Sequence, residues 1–458
     1  MKIGLLPLYL ALYDKTSPKT RERLEPFYDE LAAMFEERGM TVVRSPFCRL
    51  NAEFKETVAN FEAAKVDAIV TIHMSYSPSL ECIEALAGTE LPIVVLDTTP
   101  LADFSPEQTS AGIMVCHGIH GVMDMCSLLK RYGKEYAIAA GYYKDGDCVD
   151  RVCGYVRAAA AAAALKKANV GLLCGSFDGM GDFAVPRGEM KARFGINVTD
   201  IDSESLAKRR EEVTAEAIEA ELAADKEAFT FSDGVDENEY KEVIADCLAM
   251  RAWLKDNGAT AFSANFSKLT PACGIGTTPF IEGCKGMARG IGYAGEGDVL
   301  TAAFTGAFLA GYPETGFVEP FCPDWEHDTV FMSHMAEVNY RTVNGKPTLY
   351  PRGAAGGARR AYGAYACMKG GKGVYINISR DKDDYQLLAA EAEMLDVEKD
   401  NFPTSMRGWM KPAKGSLASF LEALSENGAT HHSCFIYGAT AKEMKFFARL
   451  LNMKFVEI

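Results

Sequence analysis

The sequence predicts an α/β protein: two Rossmann-like α/β domains with parallel sheets, followed by a C-terminal antiparallel β-barrel-like domain. Three observations carry this. Apolar strand-like runs alternate with amphipathic helical stretches from the N-terminus onward, as β-α-β units require. The alternation restarts near residue 169, and beyond about residue 328 it gives way to short β-rich runs between Gly-rich turns. A chain of 458 residues also exceeds what one hydrophobic core usually serves, and at roughly 150 residues per domain it suggests about three. The expected domains are 1–168, 169–327 and 328–458.

The first run, IGLLPLYLALY, is too short and too soon followed by charge to span a bilayer, and reads as a buried strand. Ser17 and Pro18 cap and open an amphipathic helix reaching Gly39. TVVRSPF is a second strand, and Asn51 is placed to cap the helix AEFKETVANFEAAK. DAIVTIHM and LPIVVLD are strands separated by a further helix. Next come a helix over 118–132, the strand EYAIAAGY, and an Ala-rich helix over 157–168 whose composition favours close packing. The second region opens at NVGLLCGSF and continues through INVTDID, a long charged helix over 203–226, a helix over 237–256 and the strand TAFSANF. In the last region TVFMSHMAEV, KPTLYPR and GVYINIS read as strands, closed by a helix over 441–452 and a final strand KFVEI.

Apolar residues make up 48% and charged residues 24%, the balance of a soluble globular protein. A net charge of -15 argues against nucleic acid or an anionic membrane as partner, since both demand clustered Lys and Arg. A neutral or cationic small molecule, or a metal ion, fits better. Thirteen scattered cysteines with no CxxC pair read as reduced thiols, so a cytoplasmic location is expected. No GxGxxG follows the first strand, where LLPLYL stands, and no GxxxxGK[ST] phosphate loop occurs.

Four short segments carry the chemistry. GIGYAGEGDVLTAA places Glu296 in a Gly-rich turn before a helix, where a carboxylate serves either the helix start or a closely approached ligand; Asp298 suits the capping role better. GFVEPF sets Glu319 in an apolar stretch, where a carboxylate needs a cation or hydrogen bonds. FMSHMAEV puts His334 in a strand-like run, sharing a face with Met332, Ala336 and Val338. ENGATHHSCF brings two of the seven histidines side by side; on a strand, His431 and His432 would point to opposite faces, so at most one of them easily joins an internal site. Two carboxylates with one or two imidazoles form a mixed O/N ligand set suited to a divalent ion such as Mn²⁺.

In this order, GEGDxLTAA, FxE, SHMxEV and GAxHH, the segments resemble the L-arabinose isomerase family of the arabinose and fucose isomerase superfamily; SFDGMGDFAV, SANFSKL, GGARRAYG and the Trp409 region also fall in family order. The resemblance implies a metal-dependent aldose–ketose isomerase acting on a monosaccharide through a cis-enediol. It implies Mn²⁺, or another divalent cation such as Co²⁺ or Mg²⁺, held by Glu296, Glu319, His334 and His432, with His431 facing away or one shell out. Glu296 and Glu319 become the acid and base, Met180 and Phe266 sugar-pocket residues, and His120 a substrate contact reaching across a subunit interface of a homotrimer or homohexamer. An epimerase on the same metal site, or a non-catalytic sugar-binding protein, are the alternatives. The sugar-contacting shell departs from the family pattern: EPFCPDWEHD stands where an EDYTY-type stretch follows the second glutamate, LYLALYD replaces a QHLYG-type loop, and Ser267 and Lys268 replace an acidic pair.

Overall fold

The computed structural model describes residues 1–353 and 357–458; the first glycine of GGARRAYG, at 356, lies outside them. Contacts divide the chain into two compact units, Met1–Ala160 and Ala161–Ile458.

The first unit is built on five strands, β1 (Lys2–Leu8), β2 (Thr41–Arg44), β3 (Ala68–His73), β4 (Ile93–Asp97) and β5 (Tyr136–Ala140). All pair in parallel in the order β2-β1-β3-β4-β5, the order of a doubly wound sheet. Every residue of β3 is buried, and β1 is buried beyond its first, as sheets covered on both faces require. Leu6, Ile69 and Val95 meet Phe54, Leu86 and Leu129 from the flanking helices in one core. Asn51 is the first residue of its helix rather than the cap: Glu53 reaches back to accept the N–H groups of Arg49 and Leu50, at 2.7 and 3.2 Å.

The second unit opens with β6 (Asn169–Leu173), β7 (Asn197–Asp200), β8 (Thr230–Phe231), β9 (Ala261–Ala264) and β10 (Gly292–Gly295). Four of these form a parallel sheet in the order β10-β9-β6-β7. The charged helix expected over 203–226 is two helices, Ser203–Glu211 and Ala215–Ala228. Thr214 between them is extended, and its hydroxyl accepts the Ala217 N–H, a cap strong enough to start a new helix.

The remaining strands are β11 (Thr315–Asp324), β12 (Thr329–Ser333), β13 (Thr348–Arg352), β14 (Ala361–Tyr365), β15 (Gly371–Asp381), β16 (Asp384–Met394), β17 (Gly408–Pro412), β18 (Ser433–Tyr437) and β19 (Lys454–Glu457). Six of them close into an antiparallel barrel, β15-β18-β11-β12-β17-β16 and back to β15. β19 adds in parallel to β16, while β13 and β14 pair with β8 in a small separate sheet. By strand pairing the β-rich region therefore starts at Thr315, ahead of the expected 328. The barrel interior is filled by Val318, Met332, Tyr375, Leu388, Met410 and Phe435 with their neighbours. All thirteen cysteines are free thiols.

Candidate functional site

Glu296 follows β10 directly. It and Gly297 both have positive φ, 64° and 81°, and so turn the chain sharply into the helix Val299–Gly311. Small neighbours are obligatory here: a Cβ on Gly297 would meet the Gly175 carbonyl oxygen at 2.4 Å, and one on Gly295 would meet His334 Cε1 at 2.5 Å. The loop after β6 clasps this turn, with the Phe177 N–H donating to Glu296 O at 2.8 Å and Ser176 Oγ to Gly297 O at 3.1 Å. Asp298 caps the helix as expected, accepting the Thr301 N–H at 2.9 Å.

Glu319 lies on β11 opposite Ser333 of β12, just before a bulge between Pro320 and Cys322, where proline offers no N–H to the ladder. His334 is the first residue past β12, not a strand residue, so the expected shared face with Ala336 and Val338 does not exist. The cause is local: Glu337 accepts His334 Nδ1–H at 2.7 Å and the Ala336 N–H at 2.6 Å, curling 334–337 into a turn. His431 and His432 likewise precede β18. Asn377 Nδ2 donates to Thr430 O and His432 O, at 2.7 and 2.9 Å, holding this backbone out of strand geometry. Both rings consequently face the same way, with centroids 4.3 Å apart, which corrects the expectation that His431 faces away.

Five donors converge. His432 Nε2 is 3.6 Å from both Glu296 Oε2 and Glu319 Oε1; His431 Nε2 is 3.7 and 3.4 Å from the same two atoms; His334 Nε2 is 3.9 Å from Glu319 Oε2. Each imidazole is tethered through Nδ1 to a further carboxylate: His432 to Asp298 at 2.9 Å, His334 to Glu337 at 2.7 Å, His431 to Asp182 at 2.6 Å. Each tether leaves Nε2 as the nitrogen directed at the glutamates, the arrangement that prepares a histidine to bind a metal. Phe183 stacks on His432 at 4.9 Å, and Phe317 lies across His334 and His432, so the cluster has aromatic walls.

The electrostatics are asymmetric. Burial pushes the Glu319 carboxyl above the usual carboxylate range against the pull of the three imidazoles. For Glu296 burial acts in the same sense, but the approach of His431, His432 and His334 outweighs it and holds the carboxyl below that range. The hydrogen bond to Asp182, then the contact with Glu296, push His431 up to about 10. Burial opposes the ionised form of Asp182 too, yet its bonds to His431 bring it down to about 2.

The donor set fits a divalent cation. Glu296 Oε2 and His432 Nε2 are buried without a hydrogen-bond partner among the described residues, a situation costing roughly 1–3 kcal/mol per group unless something else satisfies them. Glu296, His431 and His432 form one group that could hold a metal; Glu319, His334 and His432 form another. Donors about 2.0–2.2 Å from an ion stand about 3–3.6 Å from one another, close to the separations here.

The other sequence-predicted residues are not among these five donors. His120 belongs to the first unit, exposed and stacked on Tyr76 at 4.7 Å. Met180 is half-buried on the loop after β6, and Phe266 packs on Phe177 at 5.6 Å. Sequence reading missed Asp182, Glu337 and the second role of Asp298. Glu337 stands three residues after His334 within the quoted SHMAEV, a spacing that could have signalled the tether.

Comparison with known proteins shows which family the chain resembles. Residues 175–310 match the L-arabinose isomerase central domain, and residues 314–454 match the L-arabinose isomerase C-terminal domain. The L-arabinose isomerase of Aeromonas salmonicida is 27% identical over 427 residues, covering 87% of this chain and 82% of that protein. Those of Bacillus subtilis and Geobacillus thermodenitrificans are 25% and 24% identical, covering 89% and 85% of this chain and 82% and 80% of theirs. Among solved structures, a periplasmic solute-binding protein from Actinobacillus succinogenes with bound D-allose matches 68% of this chain and 91% of its own at 16% identity and a TM-score of 0.18. Fold, site and matches together define a sugar isomerase, an intramolecular oxidoreductase. The chain belongs to the L-arabinose isomerase family, as a divergent member.

Proposed function

We propose that this protein is a metal-dependent aldose–ketose isomerase of a monosaccharide, acting by proton transfer through a cis-enediol. One observation supports this most: two buried glutamates and three Nδ1-tethered imidazoles converge on a space where Glu296 Oε2 and His432 Nε2 lack any other partner among the described residues. Glu296, Glu319, His334 and His432 would hold the ion, Mn²⁺ or a similar divalent cation, with His431 beside them on the more exposed side. A bound ion of this kind supplies Lewis-acid polarisation of neighbouring sugar oxygens. One glutamate of the pair takes the carbon-bound proton, and the other moves protons between the oxygens of C1 and C2. Their attachment to a rigid strand and a glycine-locked turn keeps both carboxylates positioned. His120 of a neighbouring copy in a homotrimer or homohexamer, with Met180 and Phe266, would line the sugar's path, and a cytoplasmic location accords with the free thiols.

A sugar-binding protein without turnover has no need of two glutamates and two histidines around one ion. The altered stretch after Glu319, EPFCPDWEHD, supports a sugar other than L-arabinose. The test is a panel of aldoses and ketoses, including L-arabinose, incubated in D₂O with Mn²⁺ and followed for deuterium at C2. Mn²⁺-dependent exchange abolished by Glu296→Gln is expected; a well-folded, Mn²⁺-binding protein that exchanges none of them would refute the reading. Mn²⁺ at 100 times its Kd is also expected to stabilise the fold by about 2.7 kcal/mol.

A further inference from the structure

We infer that Asp182 is a positioning residue for His431, fixing that imidazole on the open side of the carboxylate pair, where a substrate hydroxyl arrives; the inference rests on the isomerase reading above. The five converging side chains are not equivalent. Those of Glu296, Glu319, His334 and His432 are at most 12% exposed, whereas that of His431 is 38% exposed. His431 is therefore the member of the cluster that meets whatever enters from solvent.

Its ring is not left to its own rotamer. Asp182 Oδ2 accepts from both the His431 backbone N–H, at 3.0 Å, and Nδ1–H, at 2.6 Å. This pair of bonds to one carboxylate oxygen sets the χ1 arc and the tautomer together, leaving Nε2 between Glu319 and Glu296, at 3.4 and 3.7 Å. The next residue, Phe183, stacks on His432. Two successive residues of the loop after β6 thus hold two successive histidines before β18, while Phe177 and Ser176 of the same loop hold the backbone of the Glu296 turn. Loop, turn and histidine pair form one assembly, and Asp182 is its link to the exposed imidazole.

Asp182→Asn and Asp182→Ala separate the hydrogen bonds from the charge. Because one carboxylate oxygen accepts both His431 N–H groups, the amide oxygen of Asn can keep both bonds, whereas Ala removes them. With L-arabinose and each panel sugar that the parent protein exchanges, Asp182→Ala is expected to lower kcat by about 10–100-fold and Asp182→Asn to stay closer to the parent. Mn²⁺ affinity, read from the electron paramagnetic resonance of the free ion, is expected to stay within about threefold of the parent, which a general loosening of the loop would not allow. Crystal structures supply the second readout: in Asp182→Ala the His431 ring is expected to swing away from the glutamates. In Asp182→Ala, a ring that keeps Nε2 within about 4 Å of both carboxylates, or an unchanged kcat, overturns the inference. If the parent exchanges no sugar, the isomerase reading fails by itself, and the crystal structures still decide whether Asp182 holds the ring.

Discussion

Replacing Asp298 tests whether the buried end of the cluster is organised for a cation or only for packing. Asp298 is fully buried and its carboxylate has two duties, capping the helix Val299–Gly311 through the Thr301 N–H and accepting His432 Nδ1–H, both at 2.9 Å. Asp298→Ala removes the cap, at about 1 kcal/mol, and strands a buried imidazole donor, at about 1–3 kcal/mol, so a destabilisation of about 2–4 kcal/mol is expected. Asp298→Asn separates the duties. Its amide oxygen can still cap the helix, but its NH₂ opposes Nδ1 and drives the proton to Nε2, where an N–H then faces Glu296 and Glu319 in place of a lone pair. Stability should fall by less than about 1 kcal/mol, while Mn²⁺ affinity falls about 10–100-fold. Urea titration of chelator-treated protein measures the first quantity, and calorimetric titration with Mn²⁺ the second. An Asn variant that binds Mn²⁺ as tightly as the parent would show that His432 Nε2 is not a ligand, and would refute the separation of cap from tether.

Gly295→Ala should weaken Mn²⁺ binding without loss of secondary structure, because the new methyl would sit 2.5 Å from His334 Cε1 in a ring already fixed by Glu337; retained affinity by calorimetry would count against His334 as a donor. Away from the site, burial disfavours ionised Glu221, but Arg251 and Lys285 overcome this and bring it down to about 2 from 4.5. Because the folded-state value is depressed, the stabilisation, on the order of 3 kcal/mol, is present above pH 4.5 and disappears as pH falls through 4.5 toward 2. Glu221→Gln should flatten that acid limb in denaturant titrations at successive pH values; parallel limbs in the two proteins would refute the assignment. Thr214→Ala, which removes the cap between the helices Ser203–Glu211 and Ala215–Ala228, should cost about 1 kcal/mol by the same measurement, and no change would mean the break is set elsewhere.

Much of the fold was legible because local signals and tertiary packing agree. Continuous apolar runs such as AIVTIH could only be covered strands, and the helix over 237–256 has the bounds its pattern indicates. Reading failed where a side chain redirects the backbone. Thr214 interrupts a charged stretch that composition alone would continue, and Glu337 ends the strand that period-two alternation extends through His334. The run DYQLLAAEAEM is rich in helix formers, yet it forms β16, because pairing with β15 along eleven positions outweighs intrinsic preference. At the site, the motif residues were visible one by one, but their tethers were not. Asp182 lies 249 positions from His431, a separation only the folded chain closes. The histidine pair shows the limit most clearly: strand logic sends the two rings apart, and Asn377, 53 residues before Thr430, keeps that segment from being a strand.

The left-handed backbone at Glu296 has a consequence for how variants of this protein would be selected. A residue with a Cβ at φ 64° costs about 1–2 kcal/mol relative to an unstrained conformation, a cost glycine does not incur. Screening libraries for heat resistance alone would accordingly enrich Gly at 296 and deliver robust proteins without the carboxylate to which the acid–base role is proposed. If Glu296 has the proposed role, thermal robustness and turnover pull in opposite directions at this one position, so a directed-evolution campaign on this chain has to score both.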